Sequence, residues 1–178
     1  MNRQDSSPEF PRPLQLRAIE PGGTPRAIEA TAAERVGLAR RLGILCVDEL
    51  RAELVIQRLQ ERGVIAVQGQ FWARVVQECV VTLDPVESRI EQTIDERFTP
   101  VEVSHERVIL ASQEEDFEEP IAGDRLDLGE IVAQCLSLAL DPYPRKEGAA
   151  LDLQDHEGDA SGLDSPFAAL VNLKRGST

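Results

Sequence analysis

The chain has 178 residues, enough for one domain of ordinary size, and 42% of them are hydrophobic while only 4% are aromatic, so aliphatic side chains must form most of the core. No stretch approaches the ~20 apolar residues of a membrane-spanning helix, and the polar start lacks the apolar core of a secretory signal. The three cysteines, Cys46, Cys79 and Cys135, are odd in number and far apart, which favours reduced thiols in a soluble, cytoplasmic protein.

The charge is distributed unevenly along the chain. The net charge is −13, with +1 over residues 1–62 and −14 over residues 63–178. A strongly acidic half repels the phosphates of nucleic acid and favours a basic partner. The charge therefore disfavours broad electrostatic binding of nucleic acid, although a local basic contact stays compatible with it.

The N-terminal third is predicted to begin with a flexible lead over residues 1–13, which is rich in serine and proline. A short strand at Leu14–Ile19 and an extended stretch at Arg26–Glu29 follow, separated by a Pro-Gly-Gly turn. Thr31 and Glu34 then have the spacing of a capping box, and a glycine ends the apolar pattern that follows them. This pattern predicts a helix.

The middle of the chain has the pattern of a β-sheet. Apolar residues recur mainly with period two over residues 50–98, which is typical of half-buried antiparallel strands. Gly63 lies where a hairpin would turn, Gly69 indicates a bulge or a close approach of another backbone, and Asp84-Pro85 marks a further turn. We therefore predict an α+β fold, with an antiparallel, curved sheet or partial barrel and a few packed helices.

The last third alternates between ordered and loose segments. Clustered acidic side chains predict a mobile loop at 112–123. Asp127 then caps a mostly buried helix, which ends before a proline pair. The predicted organisation is one domain at 14–146, a flexible linker at 147–164 and an amphipathic helix at 165–178.

The sequence contains no motif that indicates catalysis or metal binding. His105 and His156 lack a Cys or Ser companion in a catalytic motif, and there is no Gly-rich phosphate loop. Zinc needs converging paired ligands, whereas Cys79 is followed three residues later by Thr82, a poor zinc ligand. We therefore expect a protein without catalytic residues, metal or cofactor.

Two segments are candidates for binding a partner. The first is the extended stretch after the buried helix, with two prolines and a rigid aromatic contact, and its residues are Asp141, Pro142, Tyr143, Pro144, Arg145 and Lys146. Helix termination is its plainer interpretation. The second is the C-terminal helix, which docks either on its own domain or on a partner, and its candidate residues are Phe167, Leu170, Leu173 and Lys174.

Three motifs in chain order resemble those of the YceD family. The first runs from Cys79 to Val86, the second is the helix from Leu126 to Leu140, and the third is Ser165–Lys174. The N-terminal part is most similar to alphaproteobacterial members. The motif positions singled out are Cys79, Thr82, Asp84, Pro85, Asp127 and Leu128. Thr82 stands where many members have a second cysteine, so a metal site proposed for other members is not expected here.

The resemblance implies a non-enzymatic role in accumulation of the large-subunit (23S) rRNA, and hence in ribosome biogenesis. Two mechanisms stay open. In one, the acidic half binds a basic large-subunit ribosomal protein or a pre-ribosomal particle. In the other, the protein contacts rRNA directly through basic patches, which are Arg35, Arg40 and Arg41 or Arg145, Lys146, Lys174 and Arg175. An uncharacterised hydrolase is a weaker third interpretation, and no membrane partner is expected.

Overall fold

The computed structural model describes residues 8–59, 63–101 and 118–150. The elements in chain order are β1 (Pro13–Gln15), a 3-10 turn (Leu16–Ala18), β2 (Thr24–Glu29), α1 (Ala32–Leu42), β3 (Cys46–Arg58), β4 (Ile65–Glu78), β5 (Pro85–Val101), β6 (Glu118–Ala122), β7 (Arg125–Asp127) and α2 (Leu128–Ala139). Neither helix of the described residues has the length and apolar composition of a membrane span.

A five-stranded sheet in the order β2-β3-β4-β5-β6 forms the centre of the fold. Strands β2 to β5 are antiparallel, and β6 runs parallel to β5. The short strands β1 and β7 form a separate antiparallel pair. The prediction of an α+β fold around an antiparallel sheet is confirmed, and the described sheet is open and carries one parallel edge strand.

The predicted mobile loop at 112–123 is wrong for its second part. Glu118–Ala122 form β6 and pair with Arg97–Val101 of β5. The acidic composition suggested a solvated loop, but Ile121 is buried and anchors this strand. The first part of the predicted loop, 112–117, lies outside the described residues.

The hairpin of β3 and β4 follows the predicted alternation, with every second side chain of β3 from Leu50 to Ile56 buried. Gly69 of β4 lies opposite Leu54 of β3. A Cβ atom at Gly69 would overlap the backbone oxygen of Glu53. The register is continuous at this position, so the glycine serves a close approach of two backbones, one of the two predicted alternatives.

Helix α1 begins and ends at the predicted residues. The hydroxyl of Thr31 accepts from the N–H of Glu34, whose carboxylate accepts from the N–H of Thr31. Gly43 ends the helix in the left-handed conformation, at φ 66°. Leu38 and Ala39 are buried, and the helix packs on β3.

The predicted flexible lead at 1–13 is wrong for the residues that the structure describes. Phe10 is 2% exposed, and its carbonyl lies so close to Gly129 of α2 that any side chain there would collide with it. The N–H of Arg12 donates to the Asp127 carboxylate at 2.8 Å. One buried aromatic ring and this hydrogen bond fix the segment. The first seven residues lie outside the described part of the chain.

Helix α2 joins this segment to the sheet. The Asp127 carboxylate accepts from the N–H groups of Gly129 and Glu130 at 3.0 and 3.3 Å, as an N-cap. The Glu130 carboxylate pairs with Arg41 of α1. The face toward the sheet is buried, whereas Leu138 near the end of the helix is 87% exposed.

The ion pair of Arg12 and Glu34 makes the free energy of unfolding depend on pH in the acid range. Hydrogen bonds from the Arg12 guanidinium, with help from Thr31, lower the pKa of Glu34 to about 2 from its ordinary value of 4.5. A depressed pKa stabilises the fold above the unfolded value, and this contribution is lost as the pH falls through the folded value. We therefore expect the free energy of unfolding, measured with urea, to fall less in Glu34→Gln than in wild type between neutral pH and about pH 3. An equal loss in wild type, Glu34→Gln and the exposed control Glu20→Gln would contradict this.

Candidate functional site

Two sequence motifs that are far apart in the chain lie side by side in the structure. The turn between β4 and β5 meets the segment that follows α2, and the N–H of Val80 donates to the carbonyl of Pro144 at 2.9 Å. We call residues 79–85 and 141–146 the motif junction. It unites the cysteine motif and the proline-rich candidate binding segment in one surface.

Cys79 is the centre of the motif junction and has no exposed surface. Its Sγ accepts from the N–H groups of Thr82 at 3.5 Å and of Lys146 at 3.4 Å. A hydrogen bond from the Thr82 hydroxyl, followed by those from these N–H groups, lowers the pKa of the Cys79 thiol to about 6. The enclosed sulfur of Cys79 therefore holds two segments together as a hydrogen-bond acceptor, and Thr82 serves it as a donor.

Two side-chain contacts complete the junction. The Lys146 Nζ lies 3.0 Å from the Asp84 Oδ2, and this hydrogen bond lowers the pKa of Asp84. Gln77, which is 7% exposed, donates from Nε2 to the carbonyl of Asp141 at 2.9 Å. Gln77 was not predicted as a site residue, although a polar residue at a core-facing position of an alternating strand is a usable signal. No pattern in the sequence indicated the pair of Lys146 and Asp84.

The outer surface of the motif junction is partly apolar. The exposed fractions are 48% for Val80, 67% for Leu83 and 72% for Tyr143. Leu83 has a φ of 62°, a conformation that is uncommon for a bulky residue. Pro144 is buried, so it belongs to the packing of the junction, whereas the other predicted residues of 141–146 are exposed.

The remaining predicted site residues lie elsewhere. Asp127 and Leu128 lie at the start of α2, where Asp127 caps the helix and Leu128 is buried in the core. The candidates of the C-terminal segment lie outside the described residues, and they are Phe167, Leu170, Leu173 and Lys174.

The motif junction has few groups that could hold a metal. Among the described residues, no three His, Cys, Asp or Glu side chains converge as metal ligands. The pKa of the Cys46 thiol is raised by a hydrogen bond to Asp48, and that of Cys135 by burial. Of the three thiols, only that of Cys79 has a lowered pKa.

The Cys79 thiol is expected to titrate well below an ordinary cysteine. In a variant with Cys46→Ser and Cys135→Ser, the ultraviolet absorbance of the thiolate should rise with a midpoint near pH 6, since Cys79 has a pKa of about 6. A depressed pKa means that the thiolate stabilises the fold above the ordinary value of 9.0 and that this contribution is lost as the pH falls toward 6. Thr82→Val should raise the midpoint. A midpoint near 9 without that substitution would overturn the role given to Thr82.

The comparisons with known proteins complete this description. The family described as large ribosomal RNA subunit accumulation protein YceD matches residues 67–174. No curated protein and no solved structure matches the chain. The matched region begins in β4, contains both halves of the motif junction and α2, and covers more than half of the chain. The chain therefore belongs to the YceD family of large ribosomal RNA subunit accumulation proteins.

Proposed function

We propose that the protein is a non-enzymatic, cytoplasmic factor that supports accumulation of the large-subunit (23S) rRNA by binding a basic ribosomal protein or a pre-ribosomal particle. The family assignment supports the role in rRNA accumulation. The observation that supports a basic partner is the net charge of −14 over residues 63–178, since an acidic surface attracts basic proteins and repels phosphates.

The structure offers support for a binding role. The described carboxylates of β5 include exposed ones, such as Glu87, Glu91 and Asp95, so the acidity is presented on a regular surface. The sulfur of Cys79 is enclosed and joins two segments through its hydrogen bonds. A nucleophile needs access to its substrate, and this one has none in the folded state.

Of the five described basic residues considered for direct rRNA contact, three are engaged within the chain. Arg35 donates to the carbonyl of Ala30 at 2.8 Å. Arg41 is hydrogen-bonded to two glutamates, and Lys146 to Asp84. Arg41 and Lys146 are paired with carboxylates, and basic side chains neutralised in this way contribute less to phosphate binding, which favours a protein partner.

The test is retrieval of the tagged chain from growing cells, with and without nuclease. We expect basic large-subunit ribosomal proteins to be retained after nuclease treatment and released by salt. Loss of all ribosomal components after nuclease would favour direct rRNA contact instead. Absence of ribosomal components in both samples, with normal 23S rRNA levels in cells that lack the protein, would contradict the proposal.

A further inference from the structure

One edge of β5 lacks a neighbouring strand over most of its length in the part of the chain that the structure describes. On one side, β4 pairs with β5 from Pro85 to Phe98. On the other side, β6 pairs only with Arg97–Val101. Positions 85–96, which we call the β5 edge, therefore present backbone N–H and C=O groups that no described strand pairs, and such an edge is a template for a further strand.

The outward side chains of the β5 edge are exposed and mainly acidic. At alternate positions they are Glu87, Arg89, Glu91, Thr93 and Asp95. Gln70 donates to the Glu91 carboxylate at 2.7 Å and Gln68 donates to the Asp95 carboxylate at 3.1 Å, so β4 orients two of the three acids. The carboxylates recur at every fourth position along the strand.

The opposite face of the same strand carries three apolar residues, which alternate with Ser88, Gln92 and Glu96. Val86 and Ile90 are half-buried, and Ile94 is buried. A strand added to this edge would place one set of side chains beside the carboxylates and the other beside these apolar residues, because successive side chains alternate between faces. Complementarity therefore favours basic residues on one face of the added strand and apolar residues opposite Val86, Ile90 and Ile94 on the other.

We propose that the β5 edge accepts an extended, basic segment of the partner as an added strand. This inference rests on the proposed function and names the surface that serves it. Main-chain hydrogen bonds hold the segment, as in other strand-addition complexes, and basic side chains opposite Glu87, Glu91 and Asp95 select it.

The acidic pattern also disfavours a second copy of this chain as the occupant. In an antiparallel pairing of two β5 edges centred on Glu91, Glu87 lies opposite Asp95 and Glu91 lies opposite its own counterpart. Like charges directly opposite each other are destabilising. In this register the carboxylates therefore disfavour self-association, whereas they attract a basic strand.

The probe is a peptide of roughly ten residues with alternating Lys and Val, which matches the edge at ~3.3 Å per residue. We expect the full chain to bind it and to lose about tenfold or more in affinity when alternate peptide nitrogens are methylated, since methylation removes strand donors but keeps the charge. Equal binding of the methylated peptide would overturn strand addition. A peptide with Glu in place of Lys should not bind.

Charge variants of the chain test the acidic side chains. The variant Glu87→Gln, Glu91→Gln, Asp95→Asn keeps the oxygen acceptors and should weaken peptide binding by about tenfold. The matched control changes three exposed carboxylates away from this edge, as Glu20→Gln, Glu29→Gln and Glu53→Gln, and should leave the affinity unchanged. If both variants weakened peptide binding equally, the attraction would depend on net charge alone, and the proposed site would be wrong.

Hydrogen exchange locates the binding. Edge-facing amides of positions 86–96 should exchange rapidly in the free chain and become protected when the peptide is bound. Protection of all these amides in the free chain would show that the protein itself covers the edge, which would overturn the inference.

A purified basic large-subunit ribosomal protein separates the two proposals. If it binds wild type and the β5 variant equally, the proposed function stands and the β5 edge is wrong. If the Lys-Val peptide binds at the edge but no large-subunit protein binds the chain, the edge is a strand-addition site and the proposed function is wrong.

Discussion

Replacing Phe10 by alanine is expected to lower the free energy of unfolding by about 3–5 kcal/mol. The ring is 2% exposed and belongs to the main core, and the Arg12 guanidinium lies 4.5 Å from its centroid. Deleting the ring removes apolar burial and leaves a cavity that the surrounding residues fill only partly. Urea unfolding of the full chain measures the loss.

The control for Phe10 is an apolar truncation at an exposed position. Leu138 is 87% exposed, so Leu138→Ala should change the free energy of unfolding by no more than about 0.5 kcal/mol. A loss in Phe10→Ala as small as in this control would show that the N-terminal segment is not part of the core.

Replacing Gly69 by alanine is expected to destabilise the fold by about 3 kcal/mol, the upper end of the usual cost of overpacking. The added Cβ would overlap the backbone oxygen of Glu53 and crowd the Cα of Leu54, and backbone atoms in a paired strand cannot move aside without disturbing the ladder. Gly22→Ala is the matched control, because nothing lies within 4 Å of a Cβ there. Equal stabilities of the two variants would contradict the close approach of β3 and β4.

Phe10 and Gly69 also show how much of the fold can be predicted from the sequence. Gly69 was recognised because it interrupts a period-two pattern, and such a pattern is a property of neighbouring residues. Phe10 was missed because a single buried residue in an irregular segment has no periodicity, so the prolines and serines around it suggested a flexible lead. β6 was missed for a related reason, since its parallel pairing with β5 depends on partners distant in sequence.

The candidate site was likewise predicted only in its local motifs. The motifs around Cys79 and at 141–146 were found separately, through composition and resemblance. Their contact through the Cys79 sulfur and the pair of Lys146 and Asp84 could not be predicted, because these residues are brought together only when the chain folds. The β5 edge could be identified only from the order of the strands in the sheet.

The most direct test of the account is the affinity of the purified chain for a basic large-subunit ribosomal protein as a function of salt. If the acidic half provides the attraction, the dissociation constant should rise by roughly tenfold or more between about 0.1 M and about 0.5 M salt, since exposed charges are screened. An affinity that does not change with ionic strength, or no complex at low salt, would contradict the account.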